Sequence, residues 1–254
     1  MTPPRTVLVT GGGRRIGRAI ATALAADGWA VALHCNHSMA DAAAAVAAIR
    51  TAGGRAAVLP ADLTDEGAVA DLLPRAAAAL GPVACLVNNA SVFERDDAAS
   101  ATKASWDLHM AVNLRAPFVL IQAMAAALPP DMEGTVVNIL DQRVWNLSPD
   151  FLSYTLSKAG LWTLTQTLAV ALAPRIRVNA IGPGPTLPSP RQTAEQFARQ
   201  AARVPLGRPT DTADIVAALR LILSARSMTG QMIALDGGQH LGWATPSPDD
   251  RIDE

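Results

Sequence analysis

The sequence has one tyrosine, two cysteines, four histidines and, among its 21 basic residues, only two lysines. Two thiols, Cys35 and Cys85, each in an apolar context, exclude a disulfide framework and read as buried thiols of a reducing compartment. His34, His37, His109 and His240 show no metal-ligand spacing, so no metal is expected. A surplus of one charge is missing too. The 21 basic residues face 22 acidic ones, for a net charge of −1, which leaves no electrostatic footprint for nucleic acid. No uncharged apolar run reaches the roughly 18 to 20 residues of a membrane span, so no membrane partner is expected. The first residues enter a strand-like segment without a signal-peptide layout, and a cytoplasmic protein is the expectation. Apolar residues are abundant: 50% of the 254 residues are hydrophobic and 17% charged. That composition excludes disorder and suffices for one large α/β domain.

Short β-rich runs alternate with longer alanine-rich stretches. The pattern predicts strands at Thr6–Thr10, Ala30–His34, Ala56–Pro60, Ala84–Asn88, Thr135–Leu140, Arg177–Ile181 and Met232–Asp236. Helices are predicted at Arg15–Asp27, Met39–Ala52, Glu66–Leu80, Ser105–Ala127, Ser153–Ala173 and Thr212–Ser224. Strands such as Thr6-Val-Leu-Val-Thr10 are continuously apolar, as when both faces are buried in a parallel sheet. The alternation implies repeated right-handed βαβ units and a doubly wound α/β fold of about seven strands, helices on both faces. A closed βα barrel competes at this length, but the glycine-rich turn after the first strand favours the open sheet. With no linker or repeat, residues 1–242 form one domain and 243–254 an extended tail. Gly182–Pro190, dense in proline and glycine, is expected to be neither helix nor central strand and to flank a cleft at the carboxyl ends of the strands.

Thr10-Gly11-Gly12-Gly13-Arg14-Arg15-Ile16-Gly17 joins the first strand to the first helix. Glycines there let the backbone turn and approach a pyrophosphate at the positive helix N-terminus. The second strand ends Leu33-His34-Cys35-Asn36-His37-Ser38, without the acid that usually binds the adenosine ribose of NAD. Arg15, His34, Asn36, His37 and Ser38 suit a 2′-phosphate instead, so NADPH is the expected cofactor; solvent exposure of Arg15 is the alternative. Asp62, beside Leu63, reads either as an adenine ligand or as a loop or capping aspartate. Asn88-Asn89-Ala90-Ser91 reads as a cofactor floor or as a plain turn. The single tyrosine, Tyr154, stands four residues before Lys158, one of the two lysines, on the same helical face. A phenol titrates near about 10, and a neighbouring ammonium favours its phenolate, so the pair suits acid–base work.

Taken in order, Thr10-Gly11 to Gly17, Asp62, Asn88-Asn89-Ala90, Asn113, Tyr154 with Lys158, Pro183-Gly184 and Asp236-Gly237-Gly238 resemble the short-chain dehydrogenase/reductase family over nearly the whole chain. The resemblance implies a Rossmann-type fold with Tyr154 as proton donor and Lys158 on the nicotinamide ribose. It implies support of a water relay by Asn113 and a cofactor cleft that includes Gly11, Gly13, Ile16, Gly17, Leu63, Asn89, Ala90, Ser91, Pro183 and Gly184. It also implies a homotetramer, built on the helices Ser105–Ala127 and Ser153–Ala173. Two departures narrow it. Arg15 replaces the middle glycine of the loop, and Asp141 replaces the catalytic serine thirteen residues before the tyrosine. Both, with Ser91 and Phe93, resemble the pteridine reductase and dihydromonapterin reductase branch, where the serine contacts cofactor and the phenylalanine stacks on the pterin. The implied substrate is a dihydropterin or dihydrofolate, reduced at a carbon–nitrogen double bond. The implied pocket is Ser91, Phe93, Asp141, Tyr154 and Trp145, the last equally readable as packing. A carbonyl reductase for 3-oxoacyl or sugar ketones and a silent NADPH-binding scaffold are the rivals.

Overall fold

The computed structural model describes residues 5–189 and 191–242; the tail assigned to 243–254 lies outside the described residues. Seven parallel strands form one sheet in the order β3-β2-β1-β4-β5-β6-β7. They are β1 (Thr6–Val9), β2 (Ala30–Cys35), β3 (Ala56–Pro60), β4 (Val83–Asn88), β5 (Gly134–Ile139), β6 (Ile176–Pro183) and β7 (Met232–Leu235). Every residue of β1, β2, β4 and β5 is buried, whereas the edge strands β3 and β7 are partly exposed.

Alternate side chains of these apolar strands feed two cores. Leu8, Ala32, Leu86 and Val136 pack on one face with helices α3 (Glu66–Leu80), α5 (Ala116–Ala127) and α6 (Leu152–Ala171). Val7, Val9, Leu33, Val87 and Val137 pack on the other face with α1 (Arg15–Ala26), α2 (Met39–Thr51) and α8 (Thr212–Ser224). The chain therefore leaves β1 toward β2 on one side and returns to β4 on the other. The crevice opened by that reversal lies at the strands' carboxyl ends, where doubly wound sheets bind ligands.

Three details depart from the sequence reading. The helix expected over Ser105–Ala127 starts at Lys103, as α4 (Lys103–Met110), and passes through a π-helical turn, Ala111–Arg115, into α5. This 25-residue run is apolar and long enough to span a membrane by length and hydropathy. Val119, Leu120 and Met124 nevertheless pack in the core. Second, Gly182 and Pro183 belong to a strand, paired with Ala234 and Leu235 of β7. The Gly184 N–H donates to the Leu235 carbonyl, so alternation turns the Pro183 nitrogen to the other side, where pairing with β5 ends at Ile139. Proline is tolerated there because no ladder donor is lost. Third, α7 (Ala194–Ala202) follows the proline-rich stretch and opens on a capping box between Thr193 and Gln196. That Thr-x-x-Gln spacing was legible in the sequence.

Candidate active site

The glycine turn is fixed from below. Thr10 Oγ1 accepts the backbone N–H groups of Asn89 and Ala90 at 2.9 and 3.0 Å, and the Asn89 amide donates to the Thr10 and Gly11 carbonyls. Gly11 adopts left-handed backbone (φ 62°). A Cβ on Gly17 would collide with the Gly11 carbonyl and lie 2.5 Å from Asn89 Nδ2. The first turn of α1 has no side-chain cap and no acidic residue, so its backbone donors remain suited to an anion. His34, fully buried, accepts the Gly11 N–H on Nδ1 at 3.2 Å and therefore donates from Nε2 to the Ala61 carbonyl at 3.1 Å. Burial lowers its pKa, and both ring nitrogens are used in holding the turn.

Most of the residues assigned from the sequence to reacting, cofactor or substrate roles line one cavity of about 710 Å³ at this end of the sheet; Gly13, Asn88, Asn113 and Trp145 do not. Gly13 faces α2 instead, where a Cβ would sit 3.1 Å from the Ala42 nitrogen. For Trp145 the packing reading fits and the pocket reading does not: it stands edge-on against Trp162 and His240, outside the cavity, with 44% of its surface exposed. It is the residue that closes the 3₁₀ turn Gln142–Val144, which begins after Asp141.

Asn113 lies in the π turn and is fully buried. Its side chain accepts the Val92 N–H at 2.8 Å and the Ser91 hydroxyl at 3.2 Å. It donates to the Val92 carbonyl at 2.9 Å and to Ser157 Oγ at 3.0 Å. The extra residue of a π turn, a frequent mark of functional sites, thus aims one amide at both the Ser91–Val92 loop and α6. Asp62, exposed on the rim, accepts the N–H and hydroxyl of Thr64 on one oxygen, and these bonds hold its pKa below the usual range. The helix cap is Asp65, not Asp62.

The two arginines of the glycine turn diverge. Arg15 occupies left-handed backbone at φ 51°, which costs a non-glycine residue about 1–2 kcal/mol. Its guanidinium donates to the Leu187 and Pro188 carbonyls across the cleft, at 2.9 and 2.5 Å. It does not reach toward the end of β2, where a 2′-phosphate partner was expected. Arg14, which sequence reasoning passed over, lines the same cavity and pairs with Asp41 on α2, the helix that follows Asn36, His37 and Ser38.

The reacting groups meet at the ends of β5 and α6. The Tyr154 hydroxyl donates to Asp141 Oδ2 at 3.0 Å. Asp141 Oδ1 accepts the Arg143 N–H at 2.8 Å, and the Arg143 guanidinium lies 3.3 Å from Oδ2. Lys158, buried, donates to the Ile139 carbonyl at 2.9 Å and lies 5.7 Å from the centre of the Tyr154 ring. Burial pushes its pKa down to about 8, against an opposing pull from Asp141. Phe93 stands edge-on to Tyr154 at 4.6 Å and is stacked on Phe151 at 4.4 Å. The Arg143 guanidinium sits 5.3–5.5 Å from both phenylalanine rings. Arg143 had no spacing signal, because its place beside Asp141 and the two phenylalanine rings depends on chain segments brought together only by folding.

A glycine turn at a helix N-terminus, an aligned tyrosine and lysine, and an asparagine in a π turn behind them define an oxidoreductase site. The chain matches the family model described as enoyl-(acyl carrier protein) reductase over residues 12–240, and it belongs to the short-chain dehydrogenase/reductase family. It is similar to a crystal structure of FolM alternative dihydrofolate reductase 1 from Brucella canis complexed with NADP. The two share 53% identity, with 98% of each chain covered and a TM-score of 0.93. It is also similar to a probable galactose dehydrogenase, GalD, of Rhizobium meliloti, at 35% identity over 92% of this chain and 94% of that one. L-xylulose reductase of Bos taurus is likewise 35% identical, over 92% and 96% of the two chains.

Proposed function

We propose that the protein is an NADPH-dependent pteridine reductase that reduces a carbon–nitrogen double bond of a dihydropterin, such as dihydromonapterin or dihydrobiopterin, or of dihydrofolate. The observation that carries this reading is the Asp141 carboxylate within hydrogen-bond reach of Tyr154. A carboxylate repels a developing alkoxide, but it accepts hydrogen bonds from the amino and ring N–H groups of a pterin. The similarity to the FolM structure supports the same reading.

NADPH would lie along the cavity with its pyrophosphate at the first turn of α1, and it would supply hydride. The small-residue cradle of Gly11 and Gly17 and the uncapped helix end fit that group. Arg14, assisted by His37 and Ser38, would hold the 2′-phosphate, while Lys158 would hold the nicotinamide ribose. Tyr154 then delivers the proton to ring nitrogen, with Asp141 orienting the substrate's N–H groups. Phe93 would offer its ring to the pterin, and Ser91, tied to Asn113, would contact the cofactor. The apolar groove of Met110, Leu114, Phe118 and Leu164 on α4–α6 supports a homotetramer built on these helices.

The test mixes purified protein with NADPH or NADH and a panel of dihydropterins, dihydrofolate and ketones, following cofactor absorbance. Turnover of a dihydropterin with NADPH supports the reading. Turnover of ketones alone overturns it in favour of a carbonyl reductase, as the name of the similar L-xylulose reductase describes.

A further inference from the structure

Asp96 lies outside the cavity, 2% exposed, and its carboxylate is held by hydrogen bonds from Ser153 and Ser105. One oxygen accepts the Ser153 N–H at 3.0 Å; the other accepts the Ser153 hydroxyl and, at 3.1 Å, the Ser105 hydroxyl. Its carbonyl accepts the Leu152 N–H at 3.2 Å. Burial works to raise its pKa, but the bonds from Ser153 and Ser105 outweigh burial and leave it lowered. These bonds complete a helix that cannot complete itself. The N-cap of α6 is Phe151, in left-handed backbone (φ 59°) and without a side-chain acceptor. Leu152 and Ser153 begin the first turn, whose orphan N–H groups need an acceptor. Tyr154 is the next residue.

The same carboxylate reaches the substrate side of the site. Glu94 donates its N–H to His109 Nε2 at 3.1 Å. His109, fully buried, therefore donates from Nδ1 to Ser153 Oγ at 2.7 Å, and the Ser153 hydroxyl donates in turn to Asp96. The His109 ring stands edge-on behind Tyr154 at 6.0 Å. This chain thus starts at the residue after Phe93 and reaches Asp96 through the residue before Tyr154. Neither Asp96, His109 nor Ser153 lines the cavity.

We propose that Asp96 is a positioning residue, which caps α6 from a separate loop and, through Ser153 and His109, sets Tyr154 and Phe93 in reacting register. The inference rests on the assignment of Tyr154 as proton donor. It does not depend on whether the substrate is a pterin or a ketone.

The chain's single tyrosine makes the test direct. Protein labelled with ¹³C at the tyrosine Cζ gives one resonance, which reports Tyr154 alone with or without turnover. Ser153→Ala removes the hydroxyl link and keeps the helix; Asp96→Asn keeps one acceptor oxygen, and Asp96→Ala keeps none. The expected result is a displaced resonance in all three. Turnover per NADPH-binding site falls about tenfold in Asp96→Asn and further in Asp96→Ala, as small misplacements of reacting groups do, while NADPH affinity stays within about twofold. Asp97→Asn, in the exposed turn that Asp97 forms with Ala99 and Ser100, leaves the resonance in place. An unmoved resonance and unchanged turnover per site in folded Ser153→Ala overturn the proposal, whatever the thermal stability of the Asp96 variants. Turnover of ketones alone by the wild type, with these displacements intact, would overturn the pterin reading and leave the positioning role standing.

Discussion

Tyr154→Phe separates what this side chain does for the fold from what it does for the reaction. Tyr154 is 6% exposed, and its hydroxyl donates to Asp141 at 3.0 Å. Asp141 keeps the Arg143 N–H at 2.8 Å and the Arg143 guanidinium at 3.3 Å when the phenol is gone. No carboxylate is therefore orphaned, and the stability lost is that of one hydrogen bond, about 1 kcal/mol. For a domain of this size that lowers Tm by about 2–4 °C. It barely changes the folded fraction of a protein stable by about 5–15 kcal/mol. The reaction loses its proton donor, and about 10²- to 10⁴-fold in kcat goes with it. The hydroxyl contacts neither the glycine turn nor the α1 terminus, so NADPH affinity stays near wild type. Cofactor oxidation, NADPH titration and thermal denaturation read the three quantities on one preparation. A kcat within about tenfold of wild type would refute the donor role, and parallel loss of NADPH binding and Tm would show a folding defect instead.

Other expectations follow from the same geometry. Arg14→Ala should weaken NADPH binding about tenfold and leave NADH binding unchanged, while Arg15→Ala, which releases the Leu187–Pro188 segment, should raise KM for substrate more than the Kd of NADPH. Gly17→Ala forces a methyl group onto the Gly11 carbonyl; it should cost about 1–3 kcal/mol in denaturant unfolding and abolish cofactor binding. Lys158 is charged with difficulty in the fold, its pKa lowered to about 8 from 10.5. The unfolded chain thus holds more protons between those values, so stability rises with pH across that window. Tm of the cofactor-free protein relative to Lys158→Met should climb from about pH 8 to 10, and a flat difference would refute the burial argument. Phe93→Leu should raise KM for a dihydropterin about tenfold, whereas Trp145→Ala should leave it within about twofold, because Trp145 packs outside the cavity.

Much of the architecture was legible along the chain. Strand and helix follow from local periodicity, and the seven strands of the sheet fall within a residue or two of the apolar runs that predict them. Tyr154 and Lys158 share a helical face by spacing alone, and the glycine turn announces itself by residue type. Pairing across long sequence distance decided the rest. Pro183 joins a strand because β5 ends before it, and Asn113 is aimed by a π turn that no periodicity reveals. Arg15 finds its partners more than 170 residues away, which turned it from the 2′-phosphate side to the opposite wall and left Arg14 facing α2. Asp96 bonds to Ser153 across 57 positions. A hydrogen bond depends on where two groups finally sit, whereas propensity depends on near neighbours. The sequence by itself therefore determined the elements and the reacting pair, and the tertiary structure decided what holds that pair in place.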